Sequence, residues 1–196
     1  MRTRSTAVLA ALLLAALTAC GGVDKPEAKS SSTPSAADAS EAAEPEPSPT
    51  QQTIFEFGDA WEFESTEEFE EAIAGAVTVF DYKQGVRSVG SAAEEVDNKD
   101  YVWAYVEIKT CSTKGNFTAT TEPWTLAYGD GTRIEPSSST WDDFPKPEYP
   151  LETKLTVGKC VRGKLVFPVP GSNRPNSVVY APAELEVPRE WTVPAK

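Results

Sequence analysis

Three cysteines are the residues most able to do covalent chemistry in this sequence, and their positions divide them into one plus two. Cys111 and Cys160 each lie beside a segment rich in β-branched and aromatic residues, whereas Cys20 stands far from both, directly after an apolar run. Histidine is absent. The chain therefore lacks the commonest general base at neutral pH and the commonest metal ligand, which argues against serine triads and ordinary catalytic zinc sites. Asp and Glu number 30, so some pair will meet a glycosidase's carboxylate separation by chance and carries no weight. The acidic run Glu56, Asp59, Glu62, Glu64, Glu67, Glu68, Glu70 and Glu71 offers oxygen ligands, but follows no calcium-loop spacing and reads as a solvated face. Asp142 and Asp143 read the same way. Gly58, Gly85, Gly90 and the Gly129/Gly131 pair lack the spacing of a phosphate cradle and serve turns. No catalytic residue, metal or cofactor is expected, and enzymatic activity is not expected.

One candidate binding surface stands out. In Tyr101–Lys109, strand alternation puts Val102, Ala104, Val106 and Ile108 on one face and Tyr101, Trp103 and Tyr105 on the other. The smaller aliphatic face suits a core. The three rings then either form an exposed platform for a glycan or extended peptide, or are covered by the N-terminal segment carrying Phe55, Phe57, Trp61 and Phe63.

Charge narrows the partners. The formal net charge is -12, and loss of Arg2 and Arg4 with a leader would make it -12 - 2 = -14. A nucleic-acid backbone and an anionic lipid surface would both be repelled. Basic proteins, cations and neutral glycans remain, and a protein, peptide or glycan of the cell envelope is the expected partner class.

The elements that would position these residues fall into three segments. Arg2 and Arg4 precede Ala7 to Ala16, an apolar run of ten, too short for the ~20 residues that span a bilayer and suited to a signal-peptide core. Leu17, Thr18, Ala19 and Cys20 then resemble the lipobox of bacterial lipoproteins. That resemblance implies a leader over residues 1–19, a diacylglyceryl group on Cys20, and attachment to the extracytoplasmic face of the membrane. Two acyl chains give stable anchoring where one is marginal. Residues 20–53 then hold the lipidated cysteine and a linker of Gly, Pro, Ser, Thr, Ala and Glu, with Val23 the one branched aliphatic before Thr53. Such a segment cannot offset its ordering entropy and is expected to be a disordered tether, reaching on the order of 30 Å.

From Ile54 to residue 196 the composition is that of a folded domain, with all five tryptophans. Ala76–Tyr82, Tyr101–Thr110, Trp124–Tyr128, Val161–Val169 and Ser177–Ala181 read as strands, with weaker ones at Ile54–Phe57, Trp61–Phe63 and Lys154–Val157. Ser65 and Glu68 fit a capping box for one short helix with Phe69 and Ile73 on a shared face, ending at Gly75. Asp130-Gly131 between extended runs marks a hairpin whose two turn residues both take positive φ. Short strands with turn punctuation and no long amphipathic helix predict an all-β, antiparallel, immunoglobulin-like β-sandwich.

Three segments in order, Tyr101–Lys109, Trp124–Thr132 and Leu155–Pro170 with its closing Phe167-x-x-Pro170, resemble the immunoglobulin-like domain of unknown function common in secreted Gram-positive lipoproteins. Some of that group are classed with immunoprotective extracellular antigens. The resemblance covers about residues 76–182 and implies a sandwich without established catalytic residues. Thr110-Cys111 departs from the family, which usually has Asn where this strand ends.

An exported domain favours oxidation, so Cys111 and Cys160 are expected to form a structural disulfide with Cα atoms roughly 4.4 to 6.8 Å apart. Free thiols or a redox pair are the competing readings, and no Cys-x-x-Cys spacing favours the latter. The sequence is thus read as a membrane-anchored extracytoplasmic binding or interaction module. The rivals are a structural or antigenic envelope protein without a specific ligand and, less favoured, an unrecognised hydrolase. Replacing Cys20 with Ala is expected to abolish labelling by a lipid precursor and move the exported protein out of the membrane fraction; persistent labelling would contradict the anchor.

Overall fold

The structure is a computed structural model and describes residues 53–65, 72–183 and 185–195. The leader, Cys20 and most of the tether lie outside the described residues. Among the described residues, eleven strands and one helical turn follow in the order β1 (Ile54–Phe55), β2 (Ala60–Ser65), β3 (Ile73–Val86), α1 (Ala92–Glu95), β4 (Tyr101–Lys114), β5 (Phe117–Thr120), β6 (Trp124–Ala127), β7 (Arg133–Ile134), β8 (Glu152–Leu155), β9 (Cys160–Pro170), β10 (Ser177–Tyr180) and β11 (Arg189–Thr192). One sheet runs β1-β11-β10-β6-β7, a second runs β2-β3-β4-β9, and β5 pairs with β8. The fold is the expected all-β sandwich with one short helix. Its pairs are antiparallel apart from β1 on β11.

The core forms where the two sheets face each other. Val77, Val79, Ala104, Val106, Ile108, Phe167 and Val169 from the second sheet meet Phe55, Trp124, Leu126, Val178 and Trp191 from the first. In β4, alternate residues Ala104, Val106 and Ile108 are fully buried, as a strand with one face on a sandwich core requires. Burying such side chains contributes roughly 1.5 to 3 kcal/mol each.

The hairpin forms at the predicted place by different turn chemistry. Gly131 N donates to Tyr128 O and Tyr128 N donates to Thr132 O, and Gly131 alone of the turn residues has positive φ, at 89°. This is a type I turn followed by a left-handed glycine, the common longer alternative to a two-residue hairpin.

The helix expected after Ser65 does not extend to its predicted end. Ser65 closes β2, while Ile73 and Gly75 belong to β3, with Ser65 opposite Ile73 and Phe63 opposite Gly75; residues 66–71, including Phe69, lie outside the described residues. The run Ile73–Tyr82 already carries a strand's β-branched pattern, and pairing with β2 on one side and β4 on the other outweighs a local cap. Among the described residues, the helical turn is at α1.

Cys111 and Cys160 form the expected disulfide. They sit directly opposite each other in the β4–β9 register. Their Cα atoms are 4.0 Å apart, closer than anticipated. Ser112 N donates to Lys159 O, one residue away on each strand, so the cysteines occupy a non-hydrogen-bonded pair, the closer of the two antiparallel pair types.

The outer edge of β9 is covered. Lys164 N donates to Pro147 O, and Tyr149 N donates to Lys164 O. Gly163 permits this approach, because a Cβ there would lie 2.4 Å from Tyr149 N and 2.5 Å from the Glu148 carbonyl carbon. Among the described residues, no strand pairs with the outer edge of β2.

Replacing both Cys111 and Cys160 with Ser is expected to cost roughly 2 to 4 kcal/mol in a chemical denaturation series. Intact protein should be two hydrogens lighter than reduced protein by mass; alkylation of both thiols without reductant would contradict the bridge.

Candidate functional site

The three-ring platform on β4 does not exist. Trp103 is only 3% exposed. Its ring meets Phe144 edge-on at 5.1 Å, Ala92 and Val166 complete a second small core, and Nε1 donates to Gly90 O at 2.8 Å. The cover comes from α1 and the loop holding Phe144, not from β1 and β2 as one reading had it. Tyr101 and Tyr105 are half-buried at the border of this cluster. Tyr105 Oη donates to Asp81 Oδ2 at 2.8 Å.

Rings of the N-terminal strands have another role. Phe55 enters the main core and stacks on Trp191 at 5.3 Å. Trp61 and Phe63 lie on one face of β2, with Glu62 and Glu64 on the other, as period-two alternation dictates. Trp61 and Phe63 stack at 5.2 Å. Trp61 also reaches Tyr180 at 5.9 Å, and Phe63 meets Phe117 edge-on at 5.5 Å. Tyr180 then contacts Trp124 at 4.8 Å, and Trp124 contacts Trp191 at 6.0 Å. The rings therefore form a continuous series from the core to a half-buried aromatic surface.

That surface lines an open cleft of about 1070 Å³ at the β2 side of the sandwich. Trp61, Phe63, Phe117 and Tyr180 supply its rings, Glu122 is on its lining, and Glu62 and Glu64 stand at its rim on the opposite face of β2. The Arg189 guanidinium lies 5.1 Å from the Trp61 ring centre, a cation–π contact that braces the ring from within. Glu64 is partly offset by Lys114 Nζ at 3.0 Å. Among the described residues, no group of acidic or sulfur side chains has the geometry to hold a metal ion. The cleft offers apolar surface beside a strand edge left unpaired among the described residues.

No family model matches the chain, and no curated protein matches it. Among solved structures, MPT63, a secreted protein from Mycobacterium tuberculosis, matches with a TM-score of 0.52 at 13% identity, over 71% of this chain and 95% of that one. The two share a sandwich fold. At that identity the likeness to MPT63 extends to the fold alone.

The alternation Trp61-Glu-Phe63-Glu was a readable sign of a strand with one aromatic face, but nothing local showed that this face would border a cleft. Phe117 gave no clear strand signal. Tyr180 sits within a recognisable strand, yet its partners are distant in sequence.

Four buried or half-buried phenols give the domain an alkaline limit. Burial raises the Tyr105 phenol to about 12, and its hydrogen bond to Asp81 adds to the effect. Tyr82, Tyr128 and Tyr149 are also raised, each chiefly by burial. These groups keep protons in the folded chain that an unfolded chain releases near pH 10, so ν_U − ν_N is negative and stability falls as pH rises. Melting midpoints are expected to fall progressively from about pH 10 to 12. A flat profile over that window would contradict the burial of these phenols.

Proposed function

We propose that this chain is a non-enzymatic, membrane-anchored extracytoplasmic binding module that takes an extended peptide segment, cationic or neutral, along β2. The observation that carries the reading is the aromatic cleft lying beside a strand edge left without a partner among the described residues. An open edge presents backbone N–H and C=O groups in a row and accepts an added strand, with pockets for alternate side chains supplying selectivity. Here the added strand's alternate residues face Trp61 and Phe63, which offer large contact area at small entropic cost. Glu122 on the cleft lining, with Glu62 and Glu64 on the other face of the same edge strand, favours Lys or Arg in the ligand and disfavours acidic partners. The lipobox-like segment ending at Cys20 supplies the anchor, and the linker supplies reach. The rival reading, an envelope protein that only occupies surface, gives no reason for half-exposed rings beside an open edge.

The test is a binding screen of the full chain in neutral detergent against a library of extended peptides in which apolar residues alternate with Lys or Arg. A saturable ligand is expected, and Trp61→Ala should weaken it at least about tenfold, or ~1.4 kcal/mol. Trp141→Ala, a change to an exposed ring outside the cleft, should leave affinity unaltered. Absence of any saturable peptide, selection of a glycan instead, or indifference to Trp61→Ala would overturn the proposal.

A further inference from the structure

On the outer face of the second sheet, away from the aromatic cleft's residues, a different chemistry gathers. Lys83, Arg87, Tyr105, Lys146 and Lys164 line an open pocket of about 410 Å³. Four cations around one concavity are conspicuous in a chain whose net charge is -12. They come from separate places: Lys83 and Arg87 from the end of β3 and the residue beyond it, Lys164 from β9, and Lys146 from the segment covering the β9 edge. Backbone pairing sets the base of the pocket, since Lys83 lies directly opposite Tyr105.

The nearby carboxylates are already engaged. Asp81 accepts from Tyr105 Oη, Glu107 accepts from Arg162 Nε at 2.7 Å, and Glu148 pairs with Lys146. Lys164 Nζ is aimed by a bond to Lys146 O at 2.6 Å and stands 5.5 Å from the centre of the Tyr105 ring. Lys83 and Arg87 have no carboxylate partner among the described residues. Counting Arg162, and counting Asp143, which accepts from Ser88 Oγ and Val89 N just beyond Arg87, the neighbourhood holds five cations against four carboxylates, a local charge of 5 - 4 = +1. Like charges brought together in excess of their counterions raise the energy of the free protein, and an oxyanion entering the pocket lowers that cost.

We propose that this pocket binds the phosphate group of a small phosphorylated molecule. A phosphate presents several strong acceptor oxygens and up to two negative charges, which suits an Arg fork together with ammonium donors arriving from different directions. A single carboxylate would leave most of those donors unused. The concave, local character of the patch favours a small solute over a lipid bilayer, because the strongly acidic remainder of the protein is repelled by an anionic surface.

The full chain in neutral detergent is titrated calorimetrically with inorganic phosphate and with glycerol phosphate. Saturable binding is expected, weakening as salt is raised. Glycerol phosphate is expected to bind at least as tightly as inorganic phosphate; binding of the free ion without binding of glycerol phosphate would overturn the assignment to a phosphorylated molecule. Lys83→Gln and Arg87→Gln, both exposed positions, should each reduce affinity at least about tenfold without moving the melting midpoint, whereas Lys154→Gln on β8 should have no effect. Trp61→Ala should leave phosphate binding intact, so this site and the cleft can fail separately. No saturable heat with either probe, or affinity retained in both glutamine variants, would overturn the proposal. So would binding to phosphatidylglycerol vesicles without binding to either soluble probe.

Discussion

Much of this structure depends on β4 being buried along its inner face and covered at Trp103 on its outer face. It is the third strand of a four-stranded sheet, paired along nearly its whole length with β3 and β9. Its inner face places Ala104, Val106 and Ile108 in the sandwich core. Its outer face would expose Trp103, and α1 and the Phe144 loop close over that ring. With Trp103 sealed in this way, a surface that adds a strand has to lie at the margins of the sheet. At one margin, the backbone of Pro147–Tyr149 occupies the β9 edge against Gly163. At the other, β2 has an edge free of strand pairing among the described residues. The location of the candidate cleft follows from this asymmetry.

The disulfide and the aromatic series stabilise the same frame by different means. Cys111 and Cys160 join strands that are already hydrogen-bonded neighbours, 49 residues apart in sequence, so the bridge restricts the unfolded chain while adding little new geometry to the folded one. The rings from Phe55 through Trp191, Trp124 and Tyr180 to Trp61 and Phe63 connect the core to the cleft wall. A cleft wall built on packed rings is preorganised, which reduces the ordering cost of binding.

Elements whose signals are local were legible in the sequence. The long strands β3, β4, β9 and β10 carry β-branched runs, the Asp130-Gly131 turn carries its own chemistry, and the two cysteines flank paired strands. Short strands such as β5 and β11 exist because partners distant in sequence supply hydrogen bonds, and Phe117 or Arg189 alone announces nothing. Trp103 shows the same limit. Alternation correctly put it on the face opposite Val106, but its cover lies in a Ser- and Pro-rich loop, where Phe144 gives no periodic signal. The basic pocket was equally hidden, since Lys83, Arg87, Lys146 and Lys164 are scattered in sequence and meet only through sheet register and a crossing loop.

Hydrogen exchange of the free protein, read by mass spectrometry on fragments covering β2 and β4, tests the central claim most directly. Amides of Tyr101–Cys111 should exchange only through global unfolding, while a subset in Ala60–Ser65 should exchange orders of magnitude faster, as an open edge beside a sealed strand requires. Equal protection of the two segments, or rapid exchange across Tyr101–Cys111, would contradict it.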